Sequence, residues 1–218
     1  HEDCRRQRQM CIRDRVITGV LMISTVPVMI ILFSSLLRIE KTNSFQIIGV
    51  FLSLTGVLFI ITKANLNNLL NLSFNKGDIF ALIAMFAWSL YSALLKKKEF
   101  NLSPISLLQI VITFGVIFLI PMYFIDYSLG SVIKLQSSFY LVLFYVVFFP
   151  GLISFLFWIK GVKLIGANRS GVFLHLMPIL GAIMAMIIFN EKILFYHFLG
   201  AIFIIAGITV SNKKTQNA

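Results

Sequence analysis

The sequence predicts an all-α integral membrane protein built on inverted five-helix repeats, with about seven of the helices lying in this chain. Three observations predict it. Of 218 residues, 59% are hydrophobic and only 12% charged, and the mean hydropathy is +0.94. A soluble domain carries about 25% charged residues, so this chain cannot cover a water-facing surface and its apolar excess must face lipid. Apolar runs close to the thickness of a bilayer core recur along the chain, and one helix pair occurs twice at a fixed offset.

Crossing about 30 Å of hydrocarbon takes about 20 apolar residues of helix. Seven segments meet that length: Val16–Leu37, Phe45–Ile61, Gly77–Leu95, Pro104–Ile125, Ser138–Trp158, Gly171–Phe189 and Ile193–Val210. The runs are continuously apolar and too long for the alternating strands of a barrel, so helices follow. The connections Arg38–Asn43, Lys96–Asn101 and Gly166–Arg169 are short and carry turn and charge signals. The longer, Asn-rich stretch Lys63–Lys76 separates residues 16–62 from a second unit at 77–212, and 213–218 form a tail.

Residues 1–15, HEDCRRQRQMCIRDR, are polar and basic and give way abruptly to apolar sequence at Val16. Met10–Arg15 resembles a translated transposon adapter, so the stretch reads as non-native; the ordinary alternative is a basic juxtamembrane segment. Both cysteines, Cys4 and Cys11, lie inside it, and no disulfide or thiol chemistry is expected beyond it.

The formal charge of +11 does not point to nucleic acid, because the basic residues lie between apolar runs rather than along one face. Ten of them, Arg38, Lys41, Lys96, Lys97, Lys98, Lys160, Lys163, Arg169, Lys213 and Lys214, fall on one side of the membrane; Lys63, Lys76, Lys134 and Lys192 fall on the other. The richer side is expected to be cytoplasmic, which puts the C-terminus inside.

At a constant offset of 151 residues, Pro27 matches Pro178, Glu40 matches Glu191, Lys41 matches Lys192, Gly49 matches Gly200 and Gly56 matches Gly207. Each copy reads as a helix with a proline, a Glu-Lys turn, and a helix with two glycines seven residues apart. Five spans separate the copies. Since five is odd, the copies must cross the bilayer in opposite senses, the inverted-repeat plan.

These residues resemble the EamA-type permeases of the drug/metabolite transporter superfamily. The resemblance is carried by Met177-Pro178-Ile179, Asn190-Glu191-Lys192, Gly200 through Gly207, and the second-unit opening Gly77-Asp78, Ala87-Trp88 and Tyr91; Asn190 stands where the family commonly has glycine. The resemblance implies ten helices in two five-helix units. The counterpart of Gly77 falls before the first residue, so roughly 90 residues, about three helices, are expected ahead of Val16 in the full protein. It further implies a secondary transporter moving a small organic metabolite by alternating access, in a bacterial cytoplasmic (inner) membrane, with the lipid bilayer and a small-molecule substrate as partners. Homodimerisation is compatible with that plan; no cofactor, metal or catalytic residue is expected.

Each notable residue has a functional and a plainer reading. Pro27 and Pro178 either hinge a transport cavity or make a packed kink. Gly49, Gly56, Gly200 and Gly207 fit close helix packing better than ligand contact, and Gly181 with Ala185 repeats the small-residue theme. Glu40 and Glu191 fit capping or interface pairing better than ion coupling. From Val16 onward no carboxylate lies at mid-membrane depth, which leaves His175, one turn before Pro178, as the ionisable candidate along the path. It would bind substrate or titrate, or else hydrogen-bond a neighbouring helix; its repeat counterpart is Ser24. Trp88, Tyr91 and Ser92 on one helix, and Ser154 beside Trp158, offer aromatic faces and hydroxyls to an amphiphilic solute.

Two other classes compete. A membrane-embedded enzyme would need clustered ligands or an activated nucleophile, yet Val16 onward holds two histidines and no cysteine. A seven-helix receptor of the retinal type would need a buried lysine, and Ile193–Val210 has none. No glycine-rich, lysine-bearing phosphate loop is present, so direct ATP drive is not expected.

Overall fold

The computed structural model describes residues 2–63, 76–97, 102–128, 137–189 and 194–213. Every described element is helical. In chain order these are α1 (Glu2–Leu36), α2 (Ser44–Thr62), α3 (Lys76–Lys97), α4 (Pro104–Ser128) and α5 (Ser137–Val146). A π-helical segment (Val147–Ser154) then leads to α6 (Phe155–Ile165), α7 (Ala167–Val172), a 3-10 turn (Phe173–Leu176), α8 (Met177–Phe189) and α9 (Phe195–Ser211). Among them, six stretches are long and apolar enough to span: Gly19–Leu36, Ser44–Thr62, Gly77–Lys97, Pro104–Ile125, Phe139–Ile165 and Ala167–Ile188. The seventh, Phe195–Ser211, is 17 residues long. α1 continues as helix through residues 2–15, so the change of composition at Val16 is no break in the backbone.

Two span boundaries differ from expectation by four residues or more. The fifth span runs to Ile165 rather than Trp158, and the sixth opens at Ala167 rather than Gly171. The connection expected at Gly166–Arg169 therefore shrinks to Gly166, whose φ of 91° is open to glycine at little cost. A carboxylate 127 residues away supplies the cap that lets the helix begin so early.

The described chain divides into two compact units, His1–Lys98 with Ile165–Ala218, and Glu99–Leu164. In the second unit α4 and α5 expose Phe114, Phe118, Leu141 and Phe144 at 60–73%. Water does not tolerate so broad an apolar surface, whereas hydrocarbon does. Pro150 and Gly151 sit in the middle of the π segment; proline cannot donate to the turn before it, and the widened turn accommodates that loss. Lys163 Nζ donates to the Leu102 carbonyl at 3.1 Å.

The first unit carries the core: Val50, Val57, Ile61, Val172, Ile204 and Ile208 are buried together, with Val28, Ile31 and Ile179 packed on them. Phe33 of α1 meets Phe86 of α3 edge-on at 4.7 Å. α1 closes in a Schellman turn: Arg38 N–H donates to Ser35 O and Ile39 N–H to Ser34 O, with Arg38 left-handed at φ 52°. α2 then opens under a capping box, in which Asn43 accepts from Phe45 N–H and Gln46 Oε1 accepts from Asn43 N–H.

α2 and α9 cross along their glycines. A Cβ built on Gly49 would lie 2.5 Å from Gly207 O, and one on Gly207 2.5 Å from Gly49 O. Gly56 and Gly200 oppose each other in the same way. The lower-numbered glycine of each helix meets the higher-numbered glycine of the other, so the two helices are antiparallel. The 151-residue offset exchanges these two contacts with one another. The glycine seam therefore has an approximate two-fold relation.

Candidate functional site

That relation leads to the middle of the seam. Ser53 lies between the two glycine crossings on α2, fully buried, with its Oγ 3.0 Å from Val50 O. Facing it is His175, 1% exposed, whose Nδ1 is 2.5 Å from Ser53 Oγ and whose Nε2 is 3.0 Å from Ser24 O. The His175–Ser24 contact joins two residues separated by the repeat offset itself. The operation that swaps the repeats maps this pair of residues onto itself, which puts the pair beside the two-fold axis.

Local chemistry explains how the node forms. Proline at 27 leaves Ile23 O without its helical donor, and the next carbonyl, Ser24 O, receives the His175 N–H. At the other end Pro178 cannot serve Leu174 O; the Met177 N–H takes that carbonyl instead, three residues on, closing the 3-10 turn that holds His175. A proline thus stands three residues after each member of the contact. Both prolines are buried, and Gly171 allows α7 to approach within 3.5 Å, Cβ position to Cα, of Pro27.

Proton bookkeeping fixes the roles. Ser24 O only accepts, so Nε2 carries the hydrogen. In the neutral ring Nδ1 then accepts from the Ser53 hydroxyl. If the ring takes a second proton, Nδ1–H donates to Ser53 Oγ and the hydroxyl turns to Val50 O. One hydroxyl rotation serves both states with no heavy atom displaced.

The remaining expected residues are distributed as follows. Trp88 and Tyr91 lie in ring contact on α3, centroids 5.6 Å apart at 40°, and Ser92 is fully buried one residue on. Ser24 Oγ donates back to Val20 O, so its carbonyl rather than its hydroxyl meets His175. Ser154, exposed at the end of the π segment, belongs to the second unit. Gly181 and Ala185 do not repeat the seam, for a Cβ on Gly181 would meet nothing within 4 Å. Glu191 lies outside the described residues. Ser53 was not anticipated. Its signal is that its repeat counterpart is Ile204, a hydroxyl set against an apolar twin in an otherwise matching pair.

Glu40 caps a helix, though not the one that follows it in the chain. Its Oε1 accepts from Ala167 N–H at 2.9 Å and its Oε2 from Asn168 N–H at 3.2 Å. The two orphan donors that open α7 are satisfied by one carboxylate, with the helix dipole favouring its charge. Among the described residues no group of three or more His, Cys, Asp or Glu could hold a metal ion.

Comparison with known proteins agrees with this architecture. Residues 75–213 match the EamA-like transporter family. Uncharacterized transporter YyaM of Bacillus subtilis (strain 168) is 22% identical over 211 residues, covering 93% of this chain and 69% of that protein. Uncharacterized transporter YetK of the same strain is 29% identical over 209 residues, covering 89% and 60%. An Uncharacterized transporter of Archaeoglobus fulgidus is 26% identical over 174 residues, covering 80% and 60%. The chain thus spans 60–69% of the length of these relatives. A crystal structure superposes with a TM-score of 0.69 at 17% identity, covering 90% of this chain and 66% of that one, and speaks for the fold alone. With the family match reaching across residues 75–213 and the repeated helix pair packed about a two-fold, this chain belongs to the EamA-like transporter family, a family of multi-pass membrane transporters rather than enzymes.

Proposed function

We propose that the protein containing this chain is a secondary transporter that carries a small organic solute by alternating access between inverted repeats. The observation that carries the reading is the antiparallel glycine seam of α2 and α9, whose contacts interchange under the repeat offset. Two halves related by such an axis can rock about it and expose a central site to either face in turn.

The proposed solute-facing groups are Trp88, Tyr91 and Ser92 on α3 and the Ser24–His175 pair; Ser154, in the other compact unit, is proposed separately as a solute-facing hydroxyl. The paired aromatic rings on α3 support stacking against a flat or amphiphilic solute, and the buried hydroxyl and imidazole support orientation of a polar end. Pro27 and Pro178 are the proposed bending points. The excess of basic residues on the side holding Arg38, Lys96 and Arg169 supports a cytoplasmic C-terminus in a bacterial inner membrane.

The test is counterflow in vesicles containing the full-length protein, preloaded in turn with unlabelled amino acids and nucleosides. Accumulation of a labelled member of one class, lost in protein-free vesicles, is the expected result. Chemical turnover of a solute that never crosses the bilayer would instead make the protein an enzyme and end the reading. Within that assay His175→Ala is expected to slow translocation across about pH 5.5–8, a range that brackets the ordinary imidazole pKa; an unchanged rate and affinity would remove His175 from the path.

A further inference from the structure

We infer that Glu40 is a gate residue, a cross-repeat clasp that holds the basic-rich face shut and must release for that face to open; the inference rests on the alternating-access reading. Glu40 stands in the Glu-Lys turn of the first repeat, while the two backbone N–H groups it holds, those of Ala167 and Asn168, open a helix of the second. The bond therefore ties together the two halves that alternating access requires to part at one face or the other.

Three features separate this contact from an ordinary cap. The first is fit. Gly166, immediately before the helix, has φ 91°, and a Cβ there would lie 2.6 Å from Glu40 Oε1. The carboxylate occupies the space that any side chain would need. The second is strain. The Schellman turn that delivers Glu40 places Arg38, a residue with a side chain, at φ 52°, a conformation that persists only when surrounding contacts over-determine it.

The third is the polar side chains that flank the clasp: Asn168, whose own N–H it holds, Ser170 two residues on, and Ser34, whose carbonyl accepts from Ile39 N–H. Asn168 is fully buried, Ser34 fully buried and Ser170 5% exposed. Among the described residues neither the amide of Asn168 nor the hydroxyls of Ser34 and Ser170 have a hydrogen-bond partner. Buried polar groups without partners disfavour the state that buries them. The closed clasp thus sets two charge-assisted hydrogen bonds against three polar side chains that gain by meeting water. A contact opposed in that way is easier to release than a cap whose neighbours are all satisfied, as a gate needs.

The experiment reads the gate without any substrate. In membrane vesicles of defined sidedness holding the full-length protein on a cysteine-free background, Ser170→Cys reports access beside the clasp. The probe is a charged, membrane-impermeant methanethiosulfonate. With Glu40 intact, labelling from the basic-rich face is expected to be slow. Glu40→Ala is expected to raise that rate about tenfold or more, the factor corresponding to about 1.4 kcal/mol of lost closure, with no rise from the opposite face. Glu40→Gln, which keeps one acceptor oxygen without the charge, should fall between. Gly166→Ala, which pushes a methyl at the same carboxylate, should also accelerate labelling and so tests the clasp from its other side. If Glu40→Ala and Gly166→Ala lower thermal stability but leave Ser170→Cys protected, Glu40 is a cap and not a gate. Should the protein translocate no solute at all, the transporter reading falls while the labelling result still stands on its own.

Discussion

Replacing Gly56 by alanine puts a methyl where the backbone of α9 already stands. The Cβ would lie 2.5 Å from Gly200 O, 2.8 Å from Ile204 N and 2.8 Å from Phe203 Cβ. Ordinary contact begins near 3.4 Å, so the two helices must separate by roughly 1 Å. None of the obstructing atoms is the end of a flexible side chain, so no rotamer change relieves the clash. A gap of 0.5–1 Å forfeits about a quarter to a half of each dispersion contact across it, and the core of the first unit, Val50, Val57, Ile204 and Ile208, lines this crossing. Overpacking of this kind costs about 1–3 kcal/mol, and the upper half of that range is expected here. Gly115→Ala and Gly181→Ala are the controls: a Cβ at either meets nothing within 4 Å, and alanine is better than glycine in a helix by about 0.5–1 kcal/mol. Unfolding free energies from denaturant titration in mixed micelles should therefore move in opposite directions for the two classes. Gly49→Ala combined with Gly207→Ala should cost less than the two singly, since one separation makes room for both methyls. A Gly56→Ala protein as stable as Gly181→Ala would refute the reasoning, because the seam would then be looser than its geometry.

The hydrogen-bond node makes its own predictions. Ser53→Ala strips the partner from His175 Nδ1 at a fully buried site and should cost about 1–3 kcal/mol; in a double-mutant cycle with His175→Leu the coupling should reach at least about 0.5 kcal/mol, and strict additivity would mean the contact is energetically idle. Pro178→Ala restores an N–H able to reach Leu174 O, so the 3-10 turn should relax toward α-helix and carry the imidazole round the helix, away from Ser24. A crystal or cryo-EM structure of that variant with the His175–Ser24 bond intact would show that the proline does not set the turn.

How much of this was legible in the sequence depended on whether a residue's partner was near or far. Gly49, Gly56, Gly200 and Gly207 advertised themselves by a spacing found twice, and a helix pair that needs backbone contact has few residue types to choose from. Which glycine opposes which was not legible, because the register is set where two chains of side chains meet and not within either. Glu40 read as a cap, since a carboxylate at a helix junction does little else so cheaply; that its helix begins 127 residues later could not be read from local pattern. The same distance explains why the sixth span was placed late at Gly171: without the remote carboxylate, Ala167–Arg169 looks like loop. Ser53 was hidden for the opposite reason. A lone serine in an apolar helix usually bonds its own preceding turn, as Ser53 does with Val50 O, and nothing nearby hints at an imidazole 122 residues further on. The π segment did have a local signal, Pro150-Gly151 in the middle of the longest apolar span, but a proline there fits a simple kink as well as a widened turn.

The place where Ser24 meets His175 constrains how such a protein can change over time. On the axis of a duplicated fold each side chain confronts its own twin, so two identical halves would oppose serine to serine or histidine to histidine. A matched pair of that sort can share a proton but cannot assign donor and acceptor in advance. Two halves carried in one chain, free to differ, can instead set one imidazole between a backbone carbonyl and a hydroxyl, while the counterpart of that hydroxyl is an isoleucine. Unlike residues at these few central positions give the contact a fixed donor and acceptor that a matched pair would lack.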